Sequence, residues 1–123
     1  MNLRILLTLH GLVTLAAGVV LIAAPGLVPS AVGISVPENA YLVCHLLGAA
    51  ELAVAFLSFA ALRQPEGILL AVRTLIVFHG CAAAVEAYAF TRGLHASIWA
   101  NVALRLAVIA LFTHYGLRQK ELT

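Results

Sequence analysis

Four charged side chains fall inside long apolar runs: Glu51, Arg73, Glu86 and Arg105. His10, His45, His79, His114 and Asn101 share those runs. A carboxylate and a guanidinium away from water pair with each other, and imidazoles beside them carry protons or bind metals. Spacing groups these residues further. Asn101 and Arg105 are four apart, hence on one helical face. His79 and Glu86 are seven apart, again one face. Cys44, Gly48 and Glu51 line one stripe. No nucleophile–base triad, phosphate loop or three-ligand metal set is present, so the expectation is a non-enzymatic protein without a bound metal.

These residues must be held by elements that cross hydrocarbon. Of 123 residues, 63% are apolar and 10% charged, and mean hydropathy is +1.07. A soluble fold of this size has more surface than so few charges can cover. Disorder needs low hydrophobicity and is excluded. Four apolar segments stand out at 5–24, 41–62, 67–90 and 97–117, each 20 to 24 residues long. About 20 helical residues span the hydrocarbon core. Spanning chains satisfy their own backbone, so helices are expected over about 4–24, 36–62, 67–91 and 97–117. The fold class is therefore an all-α, integral-membrane, four-helix up-down bundle of one domain. The lipid bilayer is its first partner.

The breaks are readable. Pro25-Gly26 ends the first segment. Residues 27–37 carry Pro29, Gly33 and Pro37, and are read as an interfacial stretch with a short helical turn. Ser35-Val36-Pro37-Glu38 fits a capping box, Ser35 as N-cap and Glu38 at N3. Arg63-Gln64-Pro65-Glu66 is a tight connection that predicts the second and third segments to be antiparallel neighbours. Residues 91–96, with Gly93, do the same for the third and fourth. Arg4 before an apolar run resembles a secretory signal, but the run is long, carries His10 and offers Ile22 where a small residue belongs. It is read as a retained helix.

Placement of Lys and Arg sets orientation. Arg4, Arg63, Arg118 and Lys120 share one side, and the opposite loops hold Arg92. This predicts an inner-membrane protein with both termini cytoplasmic. Tyr41, Tyr88, Phe90 and Trp99 then form an outer aromatic belt. The formal charge of +2 is scattered, which is no nucleic-acid footprint. Cys44 and Cys81 form no CxxC pair.

At 1.5 Å per residue, Glu51 and Arg105 lie about 15 and 12 Å below the outer helix ends, which predicts a Glu51–Arg105 ion pair. His79, about 16 Å down, joins it. His45, Glu86 and Asn101 form a layer about 6 Å deep. The predicted polar core is thus Glu51, Arg105, His79, Glu86, Asn101 and His45, open toward the outer leaflet. His10, Arg73 and His114 lie lower, and Arg73 can snorkel. The fourth segment needs its partners. Eight Leu, Ile, Val and Phe residues favour its insertion by roughly 2.4–4.8 kcal/mol, while Arg105 costs about 3. Small residues spaced four apart, Gly80/Ala84, Ala49/Ala53 and Ala103/Ala107, mark packing or dimer faces, and Gly11/Gly18 mark another on the first segment.

The four-span layout, Pro25-Gly26, the run Leu47-Gly48-Ala49-Ala50-Glu51-Leu52 and Arg105 in the last span resemble small bacterial four-helix membrane proteins of the DoxX-like type. The resemblance implies a fold and no assigned activity. Small multidrug exporters carry an essential carboxylate in the first helix, and none stands here. Four-helix b-type cytochromes bind haem between histidines of two helices, for which His10 and His114 match best in depth. Three functional readings remain open. The first is an accessory or structural subunit of a membrane complex, its core acting as glue. The second is a small oligomeric transporter or proton-coupled carrier using Glu51 and Arg105. The third is a redox protein holding haem b or quinone.

Overall fold

The structure, a computed structural model, describes residues 2–117. Arg118 and Lys120, used above for orientation, lie outside the described residues. The described chain is helical, with no strand: α1 (Leu3–Ala23), a short α2 (Leu27–Ala31), α3 (Tyr41–Arg63), α4 (Ile68–Thr91) and α5 (Ile98–Phe112). One-turn 3-10 segments, Glu38–Ala40 and Pro65–Gly67, lead into α3 and α4. A π-helical turn, Thr113–Leu117, extends α5. With these extensions four helices are long and apolar enough to cross a membrane: Leu3–Ala23, Glu38–Arg63, Pro65–Thr91 and Ile98–Leu117. They match the four expected segments to within two residues at each end.

Helix ends follow local chemistry. Asn2 caps α1, its side chain accepting from the Ile5 N–H at 3.0 Å. The interfacial stretch does contain a helical turn, α2. Gly93, at φ 98°, ends α4 in a Schellman arrangement, with the Leu94 N–H donating to the Ala89 carbonyl. The expected capping box does not form. Pro37 is extended (ψ 153°), and the helical run begins after it without a side-chain cap. A proline pushes the preceding residue out of the helical region, so Ser35 cannot stand one turn before Glu38.

The helices pack as two pairs. α1 lies chiefly on α3 and α4 chiefly on α5, with lesser contact between the pairs. The tight turn at Pro65 makes α3 and α4 successive, and they touch each other less than each touches its main partner. Contact order within each pair is opposed: Gly18 meets Gly48 while Gly11 meets Phe59. Glycine makes the first pair possible. A Cβ on Gly18 would lie 2.9 Å from the Gly48 carbonyl, and one on Gly48 2.9 Å from the Gly18 carbonyl. Backbone cannot yield as a side chain can. Gly48→Ala is therefore expected to destabilise the protein by about 1–3 kcal/mol, read as a lower melting temperature in detergent. An unchanged melting temperature would show that the two backbones are not in contact there.

The other small-residue pairs do not serve this packing. Ala49, Ala53, Ala84, Ala103 and Ala107 are exposed, and nothing lies within 4 Å of a Cβ built on Gly80. They sit on the outside of the bundle. That outside is strongly apolar: Val13, Leu42, Phe56, Leu70 and Val85 are each 65–73% exposed. The apolar core gathers at one end, where Leu6 and Leu7 of α1, Ala61 of α3, Val72 and Leu75 of α4 and Phe112 of α5 pack together.

Candidate functional site

Above that apolar end, side chains from all four long helices join in one hydrogen-bonded chain. Ser58 is fixed by the buried stripe of α3, Cys44, Gly48, Glu51, Ala55 and Ser58, which repeats at intervals of four and three. Its Oγ lies 2.9 Å from Nδ1 of His10 on α1. His10 Nε2 lies 2.8 Å from Nε2 of His79 on α4. His79 Nδ1 lies 3.3 Å from an Arg105 guanidinium nitrogen on α5. Arg105 Nε donates to Glu86 Oε1 at 2.8 Å, and Asn101 donates to the same oxygen at 2.6 Å.

The donor directions follow from one fact. Arginine has no acceptor, so Arg105 must donate to His79 Nδ1. His79 then carries its proton on Nε2 and donates to His10 Nε2. His10 in turn holds its proton on Nδ1 and donates to Ser58 Oγ. The Ser58 hydroxyl donates to the Val54 carbonyl at 3.1 Å. Both imidazoles are neutral and use both nitrogens. The chain is directed from Arg105 to Val54 and closed at its lower end by the Phe112 ring, 5.3 Å from that of His10.

Burial falls along this path. His79 is 7% and His10 8% exposed, while the Arg105 and Glu86 side chains reach 18% and 16%. The chain is closed at the apolar end, and its Arg105–Glu86 end is the less buried one. Glu86 is half-satisfied: its buried Oε2 has no hydrogen-bond partner among the described residues. Phe78 flanks the guanidinium, its ring centroid 6.0 Å from Arg105 Cζ.

Of the six expected core residues, His79, Glu86, Asn101 and Arg105 come together. Glu51 is buried at 9% exposure and points inward on α3, but the expected Glu51–Arg105 pair is absent. Arg105 pairs with Glu86 instead, the one ion pair among the described residues. α5 packs on α4 rather than on α3, so the guanidinium meets the α4 carboxylate first. His45 is exposed on the outer face of α3 and does not join the core. Its neighbour Cys44 holds the inward position. His114 is exposed and packs on Tyr115, so it does not pair with His10. Arg73 is exposed on α4, as its snorkelling reading requires. Ser58 was not anticipated, although extending the Cys44, Gly48, Glu51 stripe by four and then three residues reaches it.

Phe90 and Trp99 meet edge to face at 5.4 Å. Among the described residues no three His, Cys, Asp or Glu side chains gather to hold a metal ion. Compared with protein-family models, curated proteins and solved structures, the chain finds no match.

Proposed function

We propose that the chain is a multi-pass inner-membrane protein, four spans running up and down with both termini cytoplasmic. Its role is that of a non-enzymatic accessory or structural subunit of a membrane complex. The observation that carries this reading is the closed, directed chain from Arg105 to Val54. A relay along this chain would have to begin with Arg105 giving up a proton, which a guanidinium does not do in proteins. A lock between helices has no such need, and polar side chains serve as that lock in membrane bundles. The exposed apolar surface fits a lipid environment, and the DoxX-like resemblance belongs to the same proposal as a likeness of layout.

Two experiments test it. Reporter fusions at Gln64 and Gly93 should read cytoplasmic and external respectively, following Arg4 and Arg63 against Arg92. The reverse pattern would overturn the orientation. Purification from its own membrane in mild detergent should yield a second membrane protein in stoichiometric amount, from wild type and Glu51→Gln alike. A chain that purifies as copies of itself, and loses ion-dependent transport on Glu51→Gln, would favour the second reading, an oligomeric proton-coupled carrier. The unpaired Glu51 supports that second reading.

A haem or quinone role has less support. His10 and His79 do face each other from two helices. An iron-bound histidine turns its second nitrogen into a donor, whereas His79 Nδ1 accepts from Arg105.

A further inference from the structure

The polar core holds two carboxyl groups, Glu51 and Glu86, and one cation, Arg105. The other buried titratable groups on the helices around them are the free thiol Cys44, seven residues before Glu51 on the same stripe of α3, His10 on α1 and His79 on α4, and both histidines are neutral by the donor directions above. Arg105 is committed to Glu86 through Oε1 alone. Glu51 has neither an ion pair nor a hydrogen bond among the described residues and is about nine-tenths buried. Isolated buried carboxylates are strongly disfavoured, and such a group neutralises instead.

The levels of these groups bring them into range of one another. Glu51 stands seven residues, about 10.5 Å, along α3 from Ser58, and Glu86 the same rise along α4 from His79. Ser58 and His79 are the two ends of the Ser58–His10–His79 link, and Arg105 bridges from His79 up to Glu86. Equal rises from the two ends of that link set Glu51 and Glu86 at one level, with the Arg105 guanidinium held between His79 and Glu86. Its hold on Glu86 is one-sided, with Oε2 left unpartnered.

We propose that Glu51 is a proton-binding site of the bundle, and that Arg105 decides which of the two acids carries the proton. With Arg105 on Glu86, Glu51 is the neutral acid. With Arg105 moved to Glu51, the proton belongs on Glu86. Either arrangement holds one proton and leaves the core without net charge. The inference rests on the membrane reading above, which carbonate extraction of the vesicles checks separately.

The test uses the full chain in phosphatidylcholine vesicles and dicyclohexylcarbodiimide, a lipid-soluble reagent that adds to neutral carboxyl groups. The acid's O–H adds across one C=N bond, and rearrangement leaves a stable N-acylurea on the residue, located by peptide mass spectrometry. One adduct is expected, on Glu51. It should vanish in Glu51→Gln. In Glu86→Gln, Arg105 is free to pair with Glu51, and the adduct should fall several-fold. A water-soluble carbodiimide should spare Glu51 while modifying the loop residues Glu38 and Glu66. The proposal is overturned if the adduct lies on Glu86, if Glu51 stays unmodified in correctly extracted vesicles, or if Glu86→Gln leaves Glu51 labelling unchanged. It is overturned equally if the water-soluble reagent modifies Glu51 as fast as Glu38.

Discussion

Arg105→Met should leave a protein that reaches the membrane but does not hold its bundle together. Arg105 gives charge to Glu86 and a hydrogen bond to His79, and it fixes the proton positions of both histidines. Removing one partner of a buried pair costs about 3–5 kcal/mol, because the other is left uncompensated. Whole domains are stable by about 5–15 kcal/mol, so this is a large share. Insertion of the span works in the opposite direction, since losing a central arginine favours entry by about 3 kcal/mol. That gain belongs equally to the inserted, unassembled helix and does not offset the loss of packing. The expected readout is normal membrane insertion, a much lower melting temperature in detergent, and rapid proteolysis. Adding Glu86→Gln should restore most of the loss, since a glutamine amide can occupy the same place without charge. Rescue by Glu51→Gln in preference to Glu86→Gln would show that Arg105 answers chiefly to α3.

His79→Leu should come next in severity. The change orphans His10 Nε2 and one Arg105 nitrogen together. Each buried group left without a partner costs about 1–3 kcal/mol, while replacing both members of a bonded pair with apolar groups is close to neutral. His10→Leu combined with His79→Leu should therefore be more stable than His79→Leu alone. Ser58 tolerates the loss of His10, because its hydroxyl still donates to Val54. Unfolding in a graded denaturing detergent, read by helix content, measures all three variants. A double variant less stable than the single one would mean that the imidazoles contribute by shape rather than by hydrogen bonding.

Most of the fold was legible because long apolar runs simplify the code. Twenty apolar residues between Pro25-Gly26, Arg63-Gln64-Pro65 and Gly93 leave little choice of element. The core was legible by level and not by direction. Rise per residue set Glu86 and Asn101 together correctly, since both are near helix ends on adjoining helices. The same arithmetic set Glu51 beside Arg105, although the short connection at 91–96 already made α5 a neighbour of α4. Level does not say which way a side chain points, and His45 shows this plainly: one position from the inward Cys44, it faces out. Ser58 escaped notice because a lone serine in a helix is ordinary, and only the continued α3 stripe marks it as inward. The capping box failed for a local reason, the constraint that Pro37 puts on Val36.

One bond in the chain differs from the others in where it sits. Ser58–His10 lies within the α1–α3 pair, and the Arg105, Glu86 and Asn101 bonds lie within the α4–α5 pair. His10–His79 is the one side-chain hydrogen bond among the described residues that joins the two pairs. The rest of that seam is made of Leu6, Leu7, Val72, Leu75 and Phe112, whose contacts have no preferred height. Two apolar helix pairs held by such contacts alone can slide past each other along their axes at little expense. The short turn at Pro65 ties the two halves at one end, and a single directional bond, 2.8 Å between two imidazoles, pins them against sliding in the interior.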